Sequence, residues 1–263
     1  MKRLDQWLVD EGYFQSRERA RLAVMAGEVE LEGKGRALKP GTKVGSSNRI
    51  SIKAKPRFVS RGGDKLDAVL ERWRIDVQGF DVLDAGASTG GFTHCLLERG
   101  TSRVIALDVG RGQLHWNLRQ DPRVTVVEGV NLRTIRPEDL PFRPQMITTD
   151  LSFISLRLVF AVFAELLDGG RCLIALIKPQ FEAGKGKVGK RGIVKDPEIH
   201  KEVLGRVAES AKNAGFRLKA LAPSPIKGAE GNIEFFGWWV RSGEEKEPEI
   251  SREVEKVVAE AWR

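Results

Sequence analysis

The chain has 263 residues, 41% of them hydrophobic, and a formal net charge of +8. This length fits one large domain, or a medium domain with a small partner, and the apolar content argues against a disordered chain. No run approaches the roughly 18 apolar residues of a membrane helix, and the first residues lack the apolar core of a signal peptide. Cys95 and Cys172 have no metal-site spacing, so we expect buried reduced thiols and a cytoplasmic protein.

The positive charge is concentrated at the start of the chain. Residues 1–60 hold 13 Lys and Arg against 7 Asp and Glu, so they carry +6 of the total +8. Such a concentration indicates a polyanionic partner, most simply a nucleic acid. A solvated basic face is the alternative interpretation.

The first 55 residues have the pattern of two helices followed by short strands. Leu4 and Leu8 share one face of a first helix, which Gly12 ends. Ser16 is suited to cap a second helix over residues 17–25, and later alternating runs predict short strands. We therefore expect a small α+β domain at 1–55.

The rest of the chain alternates apolar runs with helical patterns. Residues 56–60 are predicted to form an interdomain linker, because Pro56 interrupts regular structure. Residues 61–243 are predicted to form an α/β domain with a mostly parallel seven-stranded sheet and helices on both faces. The predicted strands are 81–84, 103–108, 124–127, 145–149, 171–177, 216–222 and 233–240. The predicted helices are 63–73, 91–99, 111–119, 155–167 and 197–214, and 244–263 is expected to be a C-terminal helical tail.

A glycine-rich turn follows the first predicted strand of the α/β domain. Its sequence, DAGASTGGFT at 84–93, separates Gly86 from Gly90 by three residues, whereas a dinucleotide fold would have G-x-G-x-x-G. Such a turn lets a ligand approach bare backbone at the start of a helix. Asp84 would repel a pyrophosphate but could accept a hydrogen bond from an ammonium group, which favours S-adenosylmethionine. An ordinary tight turn is the alternative.

A second carboxylate follows the next predicted strand. Asp108 ends the apolar run 103–108, at the position where nucleotide-binding folds hold ribose hydroxyls. It could instead cap the following helix. Two acids on successive strand tips, with the glycine turn between them, are more specific than either acid alone.

Four ionisable residues stand where an open α/β sheet places its site, at strand ends and the adjoining helix. They are Lys65, Asp150, Lys178 and Glu234. Lys65 and Glu234 could each be surface residues, whereas Asp150 and Lys178 directly follow apolar strands, where an unpaired charge is costly. Two lysines and two acids at one sheet edge together indicate a proton-transfer site.

The first domain resembles the small RNA-binding domain of ribosomal protein S-four. The match is carried by RLDQWL at 3–8, SRERA at 16–20 and GEV at 27–29. By this resemblance Arg3, Arg17, Arg19 and Arg21 would face RNA phosphate, a contact that positions an enzyme without reading sequence.

Over roughly residues 1–240 the chain resembles the TlyA family, whose members are named haemolysin A or rRNA 2′-O-ribose methyltransferases and whose catalytic domain is FtsJ-like. The motifs are RGGDKL at 61–66, DAGASTGGF at 84–92, TDLSF at 149–153, IKPQFE at 177–182 and GIVKDP at 192–197. The resemblance implies a Rossmann-like methyltransferase domain that modifies a ribosomal RNA ribose with Lys65, Asp150, Lys178 and Glu234. Lys178 would accept the 2′-hydroxyl proton, Lys65 and Asp150 would orient the reactants, and Glu234 would steady a lysine.

The resemblance also implies the contacts with cofactor and RNA. The cofactor-binding residues would be Asp84, Gly86, Ala87, Ser88, Thr89, Gly90, Gly91, Phe92, Asp108, Val109 and Asn131. Asp108 would hold the ribose of S-adenosylmethionine, and Val109 would lie beside its adenine. The loop 184–192, with four glycines and four cations, would contact RNA through Lys185, Lys187, Lys190 and Arg191, or would be a flexible surface loop. We expect a monomer whose partner is ribosomal RNA or a ribosomal subunit, with no metal and no membrane.

Three other functions stay open at this point. They are an RNA-binding protein with an inactive methyltransferase fold, a membrane-lytic haemolysin, and a pseudouridine synthase. The four ionisable residues argue against the first, and Glu253, Glu255 and Glu260 on the last predicted helix argue against membrane insertion. The glycine turn and the paired lysines do not fit the third.

Overall fold

A computed structural model gives the fold of the chain. It describes residues 1–25, 29–32, 35–36, 39–45, 48–52, 57–167, 172–184, 186–241 and 248–263. The chain divides into two compact units, Met1–Pro56 and Arg57–Arg263. Within the described ranges, no helix combines the length and the apolar character that crossing a membrane requires.

The first unit is a small α+β structure. In chain order its elements are β1 (Lys2–Arg3), α1 (Leu4–Asp10), α2 (Arg17–Met25), β2 (Val29–Leu31), β3 (Gly35–Arg36), β4 (Lys43–Val44) and β5 (Ile50–Ile52). β1 pairs with β4, and β2 lies between β3 and β5, all antiparallel. Leu4, Leu8, Ala20 and Val24 are fully buried between the helices and strands, on the faces that their spacing predicts.

The second unit is built on one large sheet. Its strands are β6 (Asp81–Ala85), β7 (Arg103–Asp108), β8 (Val124–Glu128), β9 (Met146–Thr149), β10 (Cys172–Ile177), β11 (Arg217–Pro223) and β12 (Phe235–Val240). Across the part of the chain that the structure describes, these seven strands lie in the order β11-β12-β10-β9-β6-β7-β8. β12 runs antiparallel to both of its neighbours, and the other six strands all run in one direction. The predicted Rossmann-like α/β fold with a mostly parallel sheet is therefore confirmed.

Helices cover both faces of this sheet. They are α3 (Arg61–Trp73), α4 (Gly91–Glu98), α5 (Trp116–Arg119), α6 (Phe160–Leu166), α7 (Pro179–Glu182), α8 (Pro197–Asn213) and α9 (Ile250–Ala261). In β10, Ile174 and Leu176 face the core under α3 and α4, whereas Leu173 and Ile177 face the core under α6, α8 and α9. Because β10 is buried on both faces, its sequence is a continuous apolar run rather than an alternating one.

Two predicted helices are shorter than expected. The prediction of a helix over 111–119 is wrong in its first half, since α5 begins only at Trp116. Gly112 has a φ of +70°, which a helix does not contain, and His115 Nδ1 caps α5 by accepting from Asn117 N–H at 3.2 Å. The predicted helix 155–167 is divided into the 3-10 turn Leu156–Leu158 and α6.

Residues 57–60, predicted as part of a linker, pack within the second unit. The Phe58 side chain is buried against Gly63, where an added Cβ would lie 2.3 Å from the ring. Pro56 lies outside the described residues. The predicted tail also belongs to this unit, because the buried valines of α9 join the core that α8 covers.

Both cysteines are reduced thiols buried in the core under α3 and α4. Cys95 lies on α4 and Cys172 begins β10. Burial raises the pKa of the Cys95 thiol to about 12, and the nearby Asp67 carboxylate adds to the rise. This thiol therefore stays protonated at neutral pH, in agreement with the expected reduced state.

Candidate active site

The glycine turn between β6 and α4 is shaped by close packing. Gly86 has a φ of +83°, and an added Cβ would lie 3.0 Å from the carbonyl oxygen of Asp150. A Cβ on Gly91 would lie 2.2 Å from Ser60 Oγ. Glycine is therefore required at both positions, at the first because of backbone conformation and at the second because of close approach.

This turn forms one wall of a cavity of about 250 Å³. The cavity is lined by the turn, the start of α3 and the residue after β9. The lining residues are Ser60, Arg61, Gly62, Lys65, Gly86, Ala87, Ser88, Thr89, Gly91, Phe92 and Asp150. They include six of the predicted cofactor-binding residues and two of the four predicted catalytic residues. The cavity lies at the carboxyl ends of parallel strands, where open α/β sheets bind ligands.

Asp108 borders the turn from the next strand. Its Oδ2 accepts a hydrogen bond from Ser88 N–H at 2.8 Å, and its Oδ1 accepts from Gly110 N–H at 2.7 Å. It does not cap a helix, because α5 begins only at Trp116. Val109, next to it, is exposed, and so is Asn131 in the loop after β8.

Asp84 differs from its predicted role as a direct cofactor contact. Its side chain is fully buried behind the turn, where Thr93 Oγ1 donates to Oδ2 at 2.6 Å and Thr148 Oγ1 donates to Oδ1 at 3.3 Å. Burial raises the pKa of Asp84 to about 7, the Thr93 hydrogen bond opposes the rise, and the Asp150 carboxylate adds to it. Asp84 therefore supports the turn from behind by tying α4 and β9 to β6.

Strand pairing brings Lys178 and Glu234 to one edge of the sheet. In the antiparallel pair of β10 and β12, Ile177 lies opposite Phe235. Lys178 follows Ile177 and Glu234 precedes Phe235, so both leave the sheet at the same place. Glu234 was predicted to lie inside a strand over 233–240, but β12 begins two residues later, at Phe235, so Glu234 lies just before it.

Asp150 and Lys65 reach this edge from other elements. Thr149 lies opposite Ala85 in the pair of β9 and β6, so Asp150 emerges beside the glycine turn. Lys65 lies on α3, which packs against α4. Both side chains line the cavity described above.

The four residues form two lysine–carboxylate pairs. Lys65 Nζ lies 2.6 Å from Glu234 Oε2, and Lys178 Nζ lies 2.6 Å from Asp150 Oδ1. The side chains of the first pair are 9% and 2% exposed, and those of the second pair are 12% and 25% exposed. Each lysine is thus matched by a carboxylate from a different element, as charges removed from water require.

Two polar neighbours extend these pairs, and sequence reasoning gave them no role. Lys178 Nζ donates to Ser152 Oγ at 3.0 Å, and Gln180 Nε2 donates to Glu234 Oε1 at 3.4 Å. Both stand within two residues of a predicted catalytic residue in the motifs at 149–153 and 177–182. Their positions in these motifs were the sequence signal that could have identified both residues.

Phe153 was also missed, and it has an unusual conformation. Its side chain is 91% exposed and its φ is +64°. The ring centroid lies 5.0 Å from that of Phe181, which in turn lies 5.9 Å from Lys178 Nζ. A bulky residue in left-handed backbone is strained, and such strain is concentrated at functional sites.

The arginines predicted to contact RNA in the first unit differ in their surroundings. Arg3 and Arg17 each form an ion pair with the buried carboxylate of Asp5, at 2.9 and 3.2 Å. Asp5 in turn has its pKa lowered, chiefly by the Arg3 hydrogen bond. All four arginines, including Arg19 and Arg21, are exposed residues. Their contact with RNA stays a prediction.

The predicted RNA loop is described in part. Lys187 forms an ion pair with Glu202 on α8, and Arg191 is exposed with a φ of +65°. Lys185 lies outside the described residues, and so does the side chain of Lys190. The RNA contact of this loop also stays a prediction.

The sheet order with one reversed strand, the glycine turn after β6 and the carboxylate at the end of β7 define a methyltransferase of the Rossmann-like class. Residues 58–241 match the sequence profile of the FtsJ-like methyltransferases.

Two named relatives and one solved structure are similar to most of the chain. The 16S/23S rRNA (cytidine-2′-O)-methyltransferase TlyA of Mycobacterium tuberculosis is 42% identical over 90% of this chain and 88% of TlyA. Hemolysin A of Brachyspira hyodysenteriae is 37% identical over 90% of this chain and 99% of its own. The solved structure of a hemolysin candidate from Streptococcus thermophilus is 40% identical, with a TM-score of 0.77 over 99% of this chain and 95% of the other. The chain therefore belongs to the FtsJ-like methyltransferases and, within them, to the group that contains TlyA and haemolysin A.

Proposed function

We propose that the protein transfers a methyl group from S-adenosylmethionine to the ribose 2′-hydroxyl of a cytidine in ribosomal RNA. The large subunit is the first candidate substrate and the small subunit the second. The observation that carries the proposal is the meeting of two lysine–carboxylate pairs with the glycine turn at one edge of the sheet. The printed name of the Mycobacterium tuberculosis relative supports the choice of a cytidine ribose.

The residues around the cavity fit S-adenosylmethionine. When bound, this cofactor supplies a methyl group that is already activated on a sulfonium. Gly86 and Gly91 line the cavity without side chains, so the ligand can approach bare backbone. Asp108 offers a carboxylate for ribose hydroxyls, Val109 an exposed apolar side chain for adenine, and Asn131 an amide for the adenine edge.

The two pairs suit the acceptor side of the reaction. A ribose hydroxyl is a weak nucleophile because it keeps its proton at neutral pH. In this proposal Lys178 Nζ takes up that proton as the hydroxyl oxygen is methylated, and Asp150 stabilises the ammonium that results. Lys65, held by Glu234, orients the reactants from the cavity wall. Since the methyl group is already activated, positioning supplies much of the acceleration.

Phe153 suits the base of the target nucleotide. Proteins hold unpaired RNA bases by stacking them on aromatic side chains. The exposed ring of Phe153 stands three residues after Asp150 and contacts Phe181, which lies near Lys178 Nζ. A base stacked on this ring would keep its own ribose close to the proton acceptor.

The basic residues of the chain suit the RNA backbone. In the first unit they are Arg3, Arg17, Arg19 and Arg21, and in the loop they are Lys185, Lys187, Lys190 and Arg191. Phosphate contacts of this kind supply affinity and fix orientation without reading sequence. We assign the first unit to docking on folded RNA.

The test is methylation of unmodified ribosomal subunits. The protein and isotope-labelled S-adenosylmethionine are incubated with 30S and with 50S subunits, and 2′-O-methyl positions are mapped on the recovered RNA. We expect label at a cytidine ribose, and we expect the Lys178→Ala variant to give none above background. No transfer to either subunit, or transfer to a base atom, overturns the proposal.

A further inference from the structure

Glu182 is a buried carboxylate to which the proposed reaction assigns no role. It ends α7, the short helix that follows Lys178, and it is 3% exposed. Its Oε2 accepts a hydrogen bond from Ser155 Oγ at 2.5 Å, and its Oε1 accepts from Leu156 N–H at 2.7 Å. Arg157 Nε lies 3.6 Å from the same carboxylate. Glu182 therefore ties the chain after β9 to the helix after β10.

The segment 150–156 is held at both of its ends. At its start, Lys178 Nζ lies 2.6 Å from Asp150 and donates to Ser152 Oγ. At its end it is held by Glu182. Phe153 lies between the two ties, with its exposed ring and its φ of +64°. A bulky residue keeps such a backbone conformation only where its surroundings impose it.

The helix that carries Glu182 is itself anchored. Arg206 Nη2, on α8, donates to the carbonyl oxygen of Glu182 at 3.2 Å. Phe181, one residue earlier, contacts the ring of Phe153. Because α7 is fixed to α8, the carboxylate holds the segment against a fixed support.

Capping of a turn does not by itself account for the carboxylate. The turn Leu156–Leu158 already has Ser155 as its cap, since Ser155 Oγ accepts from Arg157 N–H at 3.3 Å. A carboxylate removed from water is costly unless hydrogen bonds compensate it. Among the described residues, the partners of the Glu182 carboxylate are the Ser155 hydroxyl, the Leu156 N–H and the Arg157 guanidinium, which begin two positions after Phe153.

We propose that Glu182 is a positioning residue for methyl transfer. It holds segment 150–156 so that the ring of Phe153, and the base stacked on it, stay in register with Lys178. The inference rests on the proposed ribose methylation, and it adds a residue that touches neither cofactor nor reacting atoms.

The first test separates positioning from cofactor binding. Single-turnover methyl transfer to the subunit substrate is measured for Glu182→Gln, Glu182→Ala and Ser155→Ala. We expect the rate to fall by about 10²-fold in Glu182→Ala, as for a misplacement of about 1 Å, and by less in the other two. Cofactor affinity, measured by calorimetry, should stay within about twofold of wild type. A rate unchanged in all three variants, or a matching loss of cofactor affinity, overturns the inference.

Asp81→Asn is the matched control. Asp81 is a partly buried carboxylate that pairs with Arg103 at the opposite end of β6. Its loss should leave the transfer rate close to wild type. If the rate of Asp81→Asn fell as far as that of Glu182→Ala, the loss in Glu182→Ala would be a general effect of removing a shielded carboxylate and not of positioning.

The second test asks whether Glu182 acts through Phe153. Glu182→Gln is measured in the wild-type and the Phe153→Ala backgrounds. We expect its effect on rate to disappear in the second background, because the ring to be positioned is gone. Independent, multiplicative effects overturn the inference.

A third measurement does not depend on activity. Amide hydrogen exchange over segment 150–156 should be faster in Glu182→Gln and Ser155→Ala than in wild type. Unchanged exchange overturns the inference whether or not methylation is found. If the wild-type protein methylates neither subunit while hydrogen exchange responds as expected, the proposed function fails. The role of Glu182 in holding segment 150–156 is then still supported. If Glu182→Ala does not fold, Ser155→Ala, which removes one hydroxyl, carries the same tests.

Discussion

The two lysine–carboxylate pairs have the same length but different surroundings. In both, a lysine Nζ lies 2.6 Å from a carboxylate oxygen. Lys65 and Glu234 are almost completely shielded from water, whereas Asp150 keeps a quarter of its side chain exposed. Lys178 has a further partner in Ser152. A shielded pair is held in one arrangement, while a pair that borders solvent can exchange a partner with a substrate, so we infer that the first positions and the second reacts.

The largest expected effect tests the reacting pair. Lys178→Ala should lower the single-turnover rate of methyl transfer by about 10³-fold, within the range of about 10²–10⁴ for loss of a general base. Cofactor affinity should change little, because Lys178 is not among the cavity-lining residues. Transfer is measured with labelled cofactor, and Lys212→Ala on the exposed side of α8 is the control. A Lys178→Ala enzyme as fast as the control would contradict the assignment.

The second effect compares the pairs by stability. Glu234→Ala leaves the shielded ammonium of Lys65 without its carboxylate, and breaking a buried pair costs about 3–5 kcal/mol in free energy of unfolding. Asp150→Ala should cost about 1 kcal/mol, because Lys178 keeps Ser152 as a partner and the removed carboxylate already borders solvent. Urea denaturation of the two variants measures these losses. Equal losses would remove the distinction between the pairs.

The third effect concerns pH and uses Asp84. Its pKa is about 7 in the folded protein and about 3.8 without the fold, so between these values the folded state holds a proton that the unfolded state has released. Wild-type stability should therefore fall as pH rises from 4 to 7, by up to about 4 kcal/mol. Asp84→Asn removes this dependence, and denaturation at pH 5 and pH 8 checks it.

The same titration sharpens the comparison of the pairs. The Asp150 carboxylate contributes to the raised pKa of Asp84. Asp150→Asn should therefore reduce the pH dependence of stability, whereas Glu234→Gln should leave it in place. The opposite pattern would show that the shielded pair, not the exposed one, is coupled to Asp84.

The smallest expected effect lies outside both pairs. Asp108→Ala removes the acceptor for Ser88 N–H and the carboxylate proposed to hold the cofactor ribose. Affinity for S-adenosylmethionine should fall about tenfold, the loss expected for one charge-assisted hydrogen bond. Calorimetry measures this affinity. The contribution of the two lysine–carboxylate pairs to the free energy of unfolding should not change. An unaltered affinity for S-adenosylmethionine would show that Asp108 does not hold the cofactor ribose.

The sequence was sufficient to predict the sheet and the turn. Parallel strands buried on both faces, such as β10, leave apolar runs whose ends mark the strand ends. Polar residues directly after those runs, such as Lys178, therefore lie at the functional edge. The turn could be recognised from its glycine spacing because the backbone conformation at Gly86 and the packing at Gly91 admit no side chain.

Contacts made across the fold could not be predicted in the same way. Asp84 has the sequence position of a ligand-binding acid, yet two threonine hydroxyls hold it behind the turn. Which carboxylate pairs with which lysine depends on how α3 packs beside β12, and no local pattern encodes that packing. The exposure of Phe153 and the burial of Glu182 likewise arise from the tie between two loops.

The two buried thiols can report how often the core around them opens to solvent. A water-soluble disulfide reagent can reach Cys95 or Cys172 only when the layer of α3 and α4 separates from the sheet, since both side chains lie in that core. The rate of labelling at each sulfur therefore measures how often this layer opens, and no substitution is needed. Slower labelling in the presence of S-adenosylmethionine would record how firmly the methyl donor closes that layer.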